Sequence, residues 1–299
     1  MAVSNLDPKI LERITRLELR AKAIVEGVMT GTHRSPFKGS SIEFSDHREY
    51  VVGDDLRHID WKIFAKSDNY YIKQYEEETN FRAQLLVDAS ESMLYGEGSE
   101  NKWNCAQLVA ASLAYLVTSS QDMAGLTIFD NEIESQLPMG SSQTHLLKMC
   151  ALLERAKPAK GTALLKMLHD SASVLRRRGI VIVISDFFSP EEEVIKGLQA
   201  LRNKGHEVIA LQVMHRDELE FPFKQYTKFE GLEGLGNVTL QPQVLREAYK
   251  KEVDLFLETI RKGFRKCGVD YHLIVTDESL DVSLAKFLSA RHFNSKMKK

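Results

Sequence analysis

Two short runs constrain this chain more than anything else in it. Leu85-Leu86-Val87 and Ile180-Val181-Ile182-Val183-Ile184-Ser185 are apolar almost throughout, and each empties into an aspartate, Asp88 and Asp186. A strand that is apolar on both faces is covered on both faces, which is the mark of a parallel sheet wrapped by helices. Ligands of such sheets bind outside the carboxyl ends of the strands. Both aspartates fall there.

The rest of the chain alternates accordingly. Strands are expected over 81–87, 125–129, 208–214 and 271–275, with a short edge strand over 132–136. Helices are expected over 105–119, 144–155, 162–177, 190–203, 244–264 and 280–290, the fourth opening on Pro190 with acids behind it. Together these spell an α/β domain over 81–299, interrupted at 215–243 by a small β excursion. The glycines of that interval run G-x-x-G-x-G after no buried strand, which argues against a dinucleotide loop, and no G-x-x-x-x-G-K-[ST] occurs to bind ATP. Ahead of the domain, residues 1–80 hold a helix over 7–27 and a charged segment, both expected to pack on the main domain. The helix opens on Asp7-Pro8 and carries Ile10, Ile14, Leu17, Ala21, Ile24 and Val28 on one stripe.

Composition narrows the class. A chain of 299 residues with 43% hydrophobic content can bury a sizeable core. Forty basic against 42 acidic residues leave a net charge of −2, which gives no electrostatic footprint for nucleic acid. Cys105, Cys150 and Cys267 are odd in number and lack any C-x-x-C, so they read as thiols in a reducing compartment. Lys9, Glu12, Arg13 and Arg16 stand where a signal peptide needs its apolar core. The longest apolar helix, Cys105 to Val117, falls short of the roughly 20 residues that span a bilayer. A cytoplasmic location without membrane insertion is expected.

The chemistry concentrates at Asp88-Ala89-Ser90-Glu91-Ser92. An uncompensated carboxylate at the end of a buried strand costs several kcal/mol, and a hard divalent cation is the usual compensation. Asp88, Ser90 and Ser92 could aim three oxygens at one point; equally, Asp88 could cap the next turn through backbone N–H groups. Thr162, in the loop Lys160-Gly161-Thr162, and Asp186 would add two more oxygens. With no sulfur or imidazole in the set, magnesium is favoured, with manganese or calcium as substitutes.

Asp88, Ser90, Ser92, Thr162 and Asp186, in this order on three loops, resemble the metal-ion-dependent adhesion site of von Willebrand factor A domains. The resemblance implies that the hydroxyls reach the ion directly or through water, that the aspartates act largely through water, and that an acidic residue of a partner completes the coordination. A second likeness rests on Gly39-Ser40-Ser41-Ile42-Glu43-Phe44, Arg48-Glu49-Tyr50, Gly53-Asp54-Asp55-Leu56-Arg57-His58-Ile59-Asp60-Trp61 and Tyr71-Ile72-Lys73-Gln74-Tyr75-Glu76-Glu77-Glu78. These resemble family 58 of the domains of unknown function, bacterial proteins usually encoded beside MoxR-type AAA+ ATPases. The two likenesses together imply an adaptor, not an enzyme, that binds such an ATPase or its client. The alternative is a metal-dependent hydrolase (phosphoesterase) on the same site, but the general base it requires is missing from the motifs, and Glu91 and Asp170 read as exposed helix-end residues. Asp46, His47, Glu49, Asp54, Asp55, His58 and Asp60 read as a polar network with Arg48, Arg57 and Lys62. Trp61 is expected to be buried, and Arg57 or Arg48 paired to an acid.

Overall fold

The computed structural model describes residues 8–31, 44–51, 59–61, 63–64, 70–75, 81–159, 161, 163–223, 227–229, 238–240 and 242–297. The chain forms two compact units, one of Met1–Pro36 with Arg82–Lys299 and one of Phe37–Phe81. The leading helix therefore belongs to the α/β unit, and the charged segment after it is a unit of its own.

In the larger unit, β3 (Arg82–Asp88), β4 (Met123–Phe129), β5 (Ile133–Gly140), β6 (Ile180–Ser185), β7 (Glu207–Met214) and β10 (Asp270–Val275) form one sheet in the order β10-β7-β6-β3-β4-β5. All neighbours are parallel except β4 and β5. The fully apolar strands β3 and β6 sit at the centre of this sheet, buried along their whole apolar length. The edge strand β5 is longer than the sequence suggests, and its exposed and half-buried positions are those of a strand with a solvated side.

Helices cover both faces because alternate strand residues point to opposite sides. Leu86, Val181, Val183, Val208 and Ala210 share one core with α4 (Leu164–Val174), α5 (Glu191–Asn203) and α7 (Pro242–Lys266), where Phe264 meets Phe187 edge-on at 5.5 Å. Across the other face lies α2 (Lys102–Ser119), nearly all of it buried. Against α2 pack α1 (Pro8–Gly31) and α3 (Gln143–Arg155), and α1 in turn packs against α3 and α8 (Leu280–Met297). Leu17, Ala21, Val25 and Val28 are the buried stripe of α1, whereas Leu19 is exposed. Each of the larger side chains so buried contributes about 1.5–3 kcal/mol. The interval after β7 holds a five-residue helix, α6 (Arg216–Glu220), and the expected β excursion, β8 (Thr227–Phe229) antiparallel to β9 (Val238–Leu240).

The smaller unit pairs β1 (Phe44–Glu49) with β2 (Tyr71–Tyr75), antiparallel and bulged between Phe44 and Asp46. Here the expectation for Trp61 fails: its side chain is 60% exposed. The buried residues are its neighbours Ile59 and Asp60. Asp60 precedes a helical turn that includes Trp61, Ile63 and Phe64, its carbonyl accepting from Ile63 and Phe64 N–H groups and its Oδ1 from Ile63 N at 3.3 Å. That leaves Trp61 on the outside of the turn, edge-on to Phe64 at 6.1 Å, while Phe64 stacks on Tyr70 at 4.5 Å. Arg57 lies outside the described residues, as does the side chain of Arg48.

Burial sorts the three thiols. Desolvation pushes Cys105 and Cys150 up to about 12, whereas Cys267 is half-buried at the edge of the core. Iodoacetamide applied to the native protein near pH 8 should alkylate Cys267 alone, and all three after unfolding, as read by peptide mass spectrometry. Rapid native modification of Cys105 or Cys150 would contradict the packing of α2 and α3.

Candidate metal centre

The strand order reverses between β3 and β6, because the chain leaves β3 toward β4 and β5 and then returns to its other side. In an open α/β sheet this switch point is where loops part and a ligand enters. Asp88 and Asp186 lie on either side of it.

Asp88 ends β3 opposite Phe129 and is wholly buried. Its Oδ1 accepts from Ser90 N at 3.0 Å and its Oδ2 from Ser185 Oγ at 2.6 Å. The turn-capping role open to Asp88 is thus real, but it occupies one oxygen only. Ser90 is buried, and its Oγ lies 3.0 Å from the Oγ of Ser92, which is in the single 3₁₀ turn Glu91–Leu94 that follows. Burial and the nearby Asp186 push the Asp88 carboxyl up to about 7, against smaller opposing effects of Ser185 and Ser90. Every hydrogen bond that Asp88 makes is to a neutral donor.

Asp186 is held differently. Its Oδ1 accepts from Phe188 N at 3.1 Å, and its backbone carbonyl from Gln212 Nε2 at 2.8 Å. Gln212, buried on β7, is itself fixed by Tyr271 Oη at 2.7 Å. Phe187 comes next with φ of 59°, a left-handed conformation unusual for a bulky residue, kept by its N–H bond to Ser185 Oγ at 2.9 Å and by its seat on Phe264.

The remaining oxygen of Asp186 meets a residue that sequence reasoning missed. Lys102 Nζ donates to Asp186 Oδ2 at 2.8 Å and to Glu218 Oε1 at 2.7 Å, with its side chain fully buried. Its ammonium also lies 4.9 Å from the centroid of the Phe188 ring. Burial disfavours the charged lysine, but the two carboxylates outweigh it and hold the ammonium above its ordinary pKa. Lys102 is the first residue of α2, capped by Asn101, and no acid sits in that first turn. A cation there opposes the helix dipole. That misplaced charge was the available signal.

The donor set fits a hard cation. Asp88 and the Ser90 and Ser92 hydroxyls lie together at the sheet edge, close enough to Asp186 to feel its charge, and among the described residues Asp88 has no positive partner whereas Asp186 has Lys102. Nowhere among those residues do three His, Cys, Asp or Glu side chains cluster to hold a metal by themselves. Thr162 lies outside the described residues. Next to it, Ala163 N donates to Asp130 O at 3.2 Å, tying that loop to the carboxyl end of β4.

The family model for "Protein of unknown function DUF58" matches residues 46–255, well over half of the chain. The chain belongs to the DUF58 family. The uncharacterized protein Rv1480 of Mycobacterium tuberculosis is 24% identical to this DUF58 chain over 290 residues, 95% of it and 90% of the relative, and the uncharacterized protein Mb1516 of Mycobacterium bovis matches equally. Among solved structures, the conserved hypothetical protein BatB from Bacteroides thetaiotaomicron aligns with a TM-score of 0.47 and 19% identity over 71% of this chain and 98% of that one. A von Willebrand factor type A protein from Catenulispora acidiphila aligns with a TM-score of 0.41 and 10% identity over 72% of this chain and 42% of its own.

Because Asp88 sits higher in the folded protein than its usual 3.8, the native state keeps a proton that the unfolded chain releases. This contribution is complete below about pH 4 and is lost as pH rises toward 7. In metal-free buffer, urea midpoints of wild type should therefore fall relative to those of Asp88→Asn across that window, with the variant the more stable at pH 7.5. Parallel pH profiles for the two proteins would show that Asp88 carries no such strain.

Proposed function

We propose that this protein is a cytoplasmic adaptor that binds a partner protein through a divalent cation, magnesium in the first instance, held by Asp88, Ser90, Ser92, Asp186 and Thr162. The observation that carries the reading is Asp88 itself: a fully buried carboxyl, bonded to neutral donors and set against a second carboxylate at the switch point of the sheet. A bound cation would supply a Lewis-acidic position for an anionic oxygen. The chain's own part is to aim the serine hydroxyls and to keep the Asp88 carboxyl buried beneath them.

The surroundings favour binding over hydrolysis. Leu94 and Phe188, next along the chain from the two acid loops, expose 43% and 38% of their surface. Exposed apolar side chains beside a polar site would add apolar area to be buried under a docked protein. Lys102, the ionisable group against Asp186, is committed to two carboxylates and so is poorly placed to activate water. The resemblance to family 58 points to a MoxR-type AAA+ ATPase, or a client it remodels, as the partner that offers an acidic residue. Among the described residues no helix is long and apolar enough to cross a membrane.

Two measurements test this. Isothermal titration of the metal-free protein with magnesium chloride should give one site, abolished in Asp88→Asn. Capture of the MoxR-type ATPase on the immobilised protein should require magnesium, fail in chelator and fail with the same variant. Magnesium binding with unchanged capture in chelator would leave the site without the adaptor role.

A further inference from the structure

A lysine has no structural need to stand at the first turn of α2, where it opposes the helix dipole and must be desolvated completely. Its position is better explained by what it touches. The ammonium bridges Asp186, one of the acids of the candidate cation site, and Glu218, which lies on α6 and has no place in the ligand set. Glu218 is anchored, since its Oε2 accepts from His215 N at 2.8 Å. Each oxygen of Asp186 already accepts one hydrogen bond, one from Phe188 N and the other from Lys102. Asp88, on the opposite side of the switch point, has only neutral donors.

We propose that Lys102 is the site's internal counter-ion, competing with the divalent cation for Asp186 and so setting cation affinity, with Glu218 as the fixed post that retains the ammonium when Asp186 turns to the cation. This rests on the cation reading given above. The geometry supplies each element of the competition. The contested oxygen, Asp186 Oδ2, is a full hydrogen-bond partner of the ammonium at 2.8 Å. The alternative partner is at the same distance to within 0.1 Å, so the ammonium loses one bond and keeps the other. Like charges a few ångström apart in a buried site repel strongly, so an ammonium held there weakens any cation bound beside it.

The test uses the full chain, stripped of metal, with magnesium chloride as the titrant in calorimetry. Lys102→Met keeps the length of the side chain and removes its charge, and it should bind magnesium at least about tenfold more tightly than wild type. Glu218→Gln keeps an acceptor for His215 N, removes a negative charge and leaves Lys102 to Asp186 alone; it should bind several-fold more weakly. Thermal melts in chelator establish that each variant is folded. Binding in Lys102→Met where wild type gives no heat also supports the proposal. Equal affinities in all three proteins overturn it and leave the cation site standing. Absence of binding in all three overturns both. Should Lys102→Met fail to fold, Glu218→Gln decides alone: weaker binding supports the competition, and unchanged or tighter binding ends it.

Discussion

Placing an ammonium wholly inside a protein costs several kcal/mol unless its partners and hydrogen bonds are close to ideal. Lys102 meets that demand with two carboxylates at 2.8 and 2.7 Å, contributed by residues 84 and 116 positions away in the chain. Breaking such a bridge on one side leaves an unpaired buried charge, so the loop after β6 and the start of α6 are bound to the start of α2 by a strong penalty for separation. The bond network radiates from there: Asp186 to Gln212, Gln212 to Tyr271, Glu218 to His215. The carboxyl edge of the sheet is held in shape by one cation that belongs to the protein.

The strands explain why the edge exists at all. Because β3 and β6 are apolar on both faces, they can lie only at the centre of a covered sheet, and because the chain departs from β3 in both directions, their ends part into a cleft. Polar groups in that cleft cannot be relieved by water from below. Asp88 therefore titrates far from its ordinary range, and Phe187 accepts a strained backbone to complete the turn.

The sheet was legible in the sequence because continuous apolar runs report burial directly, and the acids at their ends report the edge. Asp88, Ser90 and Ser92 are local in sequence, and the structure brings the hydroxyls to 3.0 Å of each other as their spacing suggests. Lys102 was legible only as a cation at the wrong end of a helix; its partners Asp186 and Glu218, 84 and 116 residues away, are encoded by no local pattern. Trp61 misled for a related reason. A tryptophan is a large apolar residue and reads as core, but its orientation is decided by Asp60, which starts the turn and leaves the ring outside. The edge strand β5 was underestimated because its alternate residues are polar or small.

Glu218 has two oxygens and spends them on two different structures. One closes the capping box of α6 by accepting from His215 N, while the His215 ring accepts from Asp217 N; the other oxygen holds Lys102. Arg216, the first residue of the same helix, reaches across to Asp277 and Glu278 in the turn after β10. A five-residue helix is too short to persist by its own hydrogen bonds. It is a pin, kept in place at its middle by a buried charge and at its first residue by surface charges, and any event that moved the ammonium would be felt along the whole row of loops from β6 to β10.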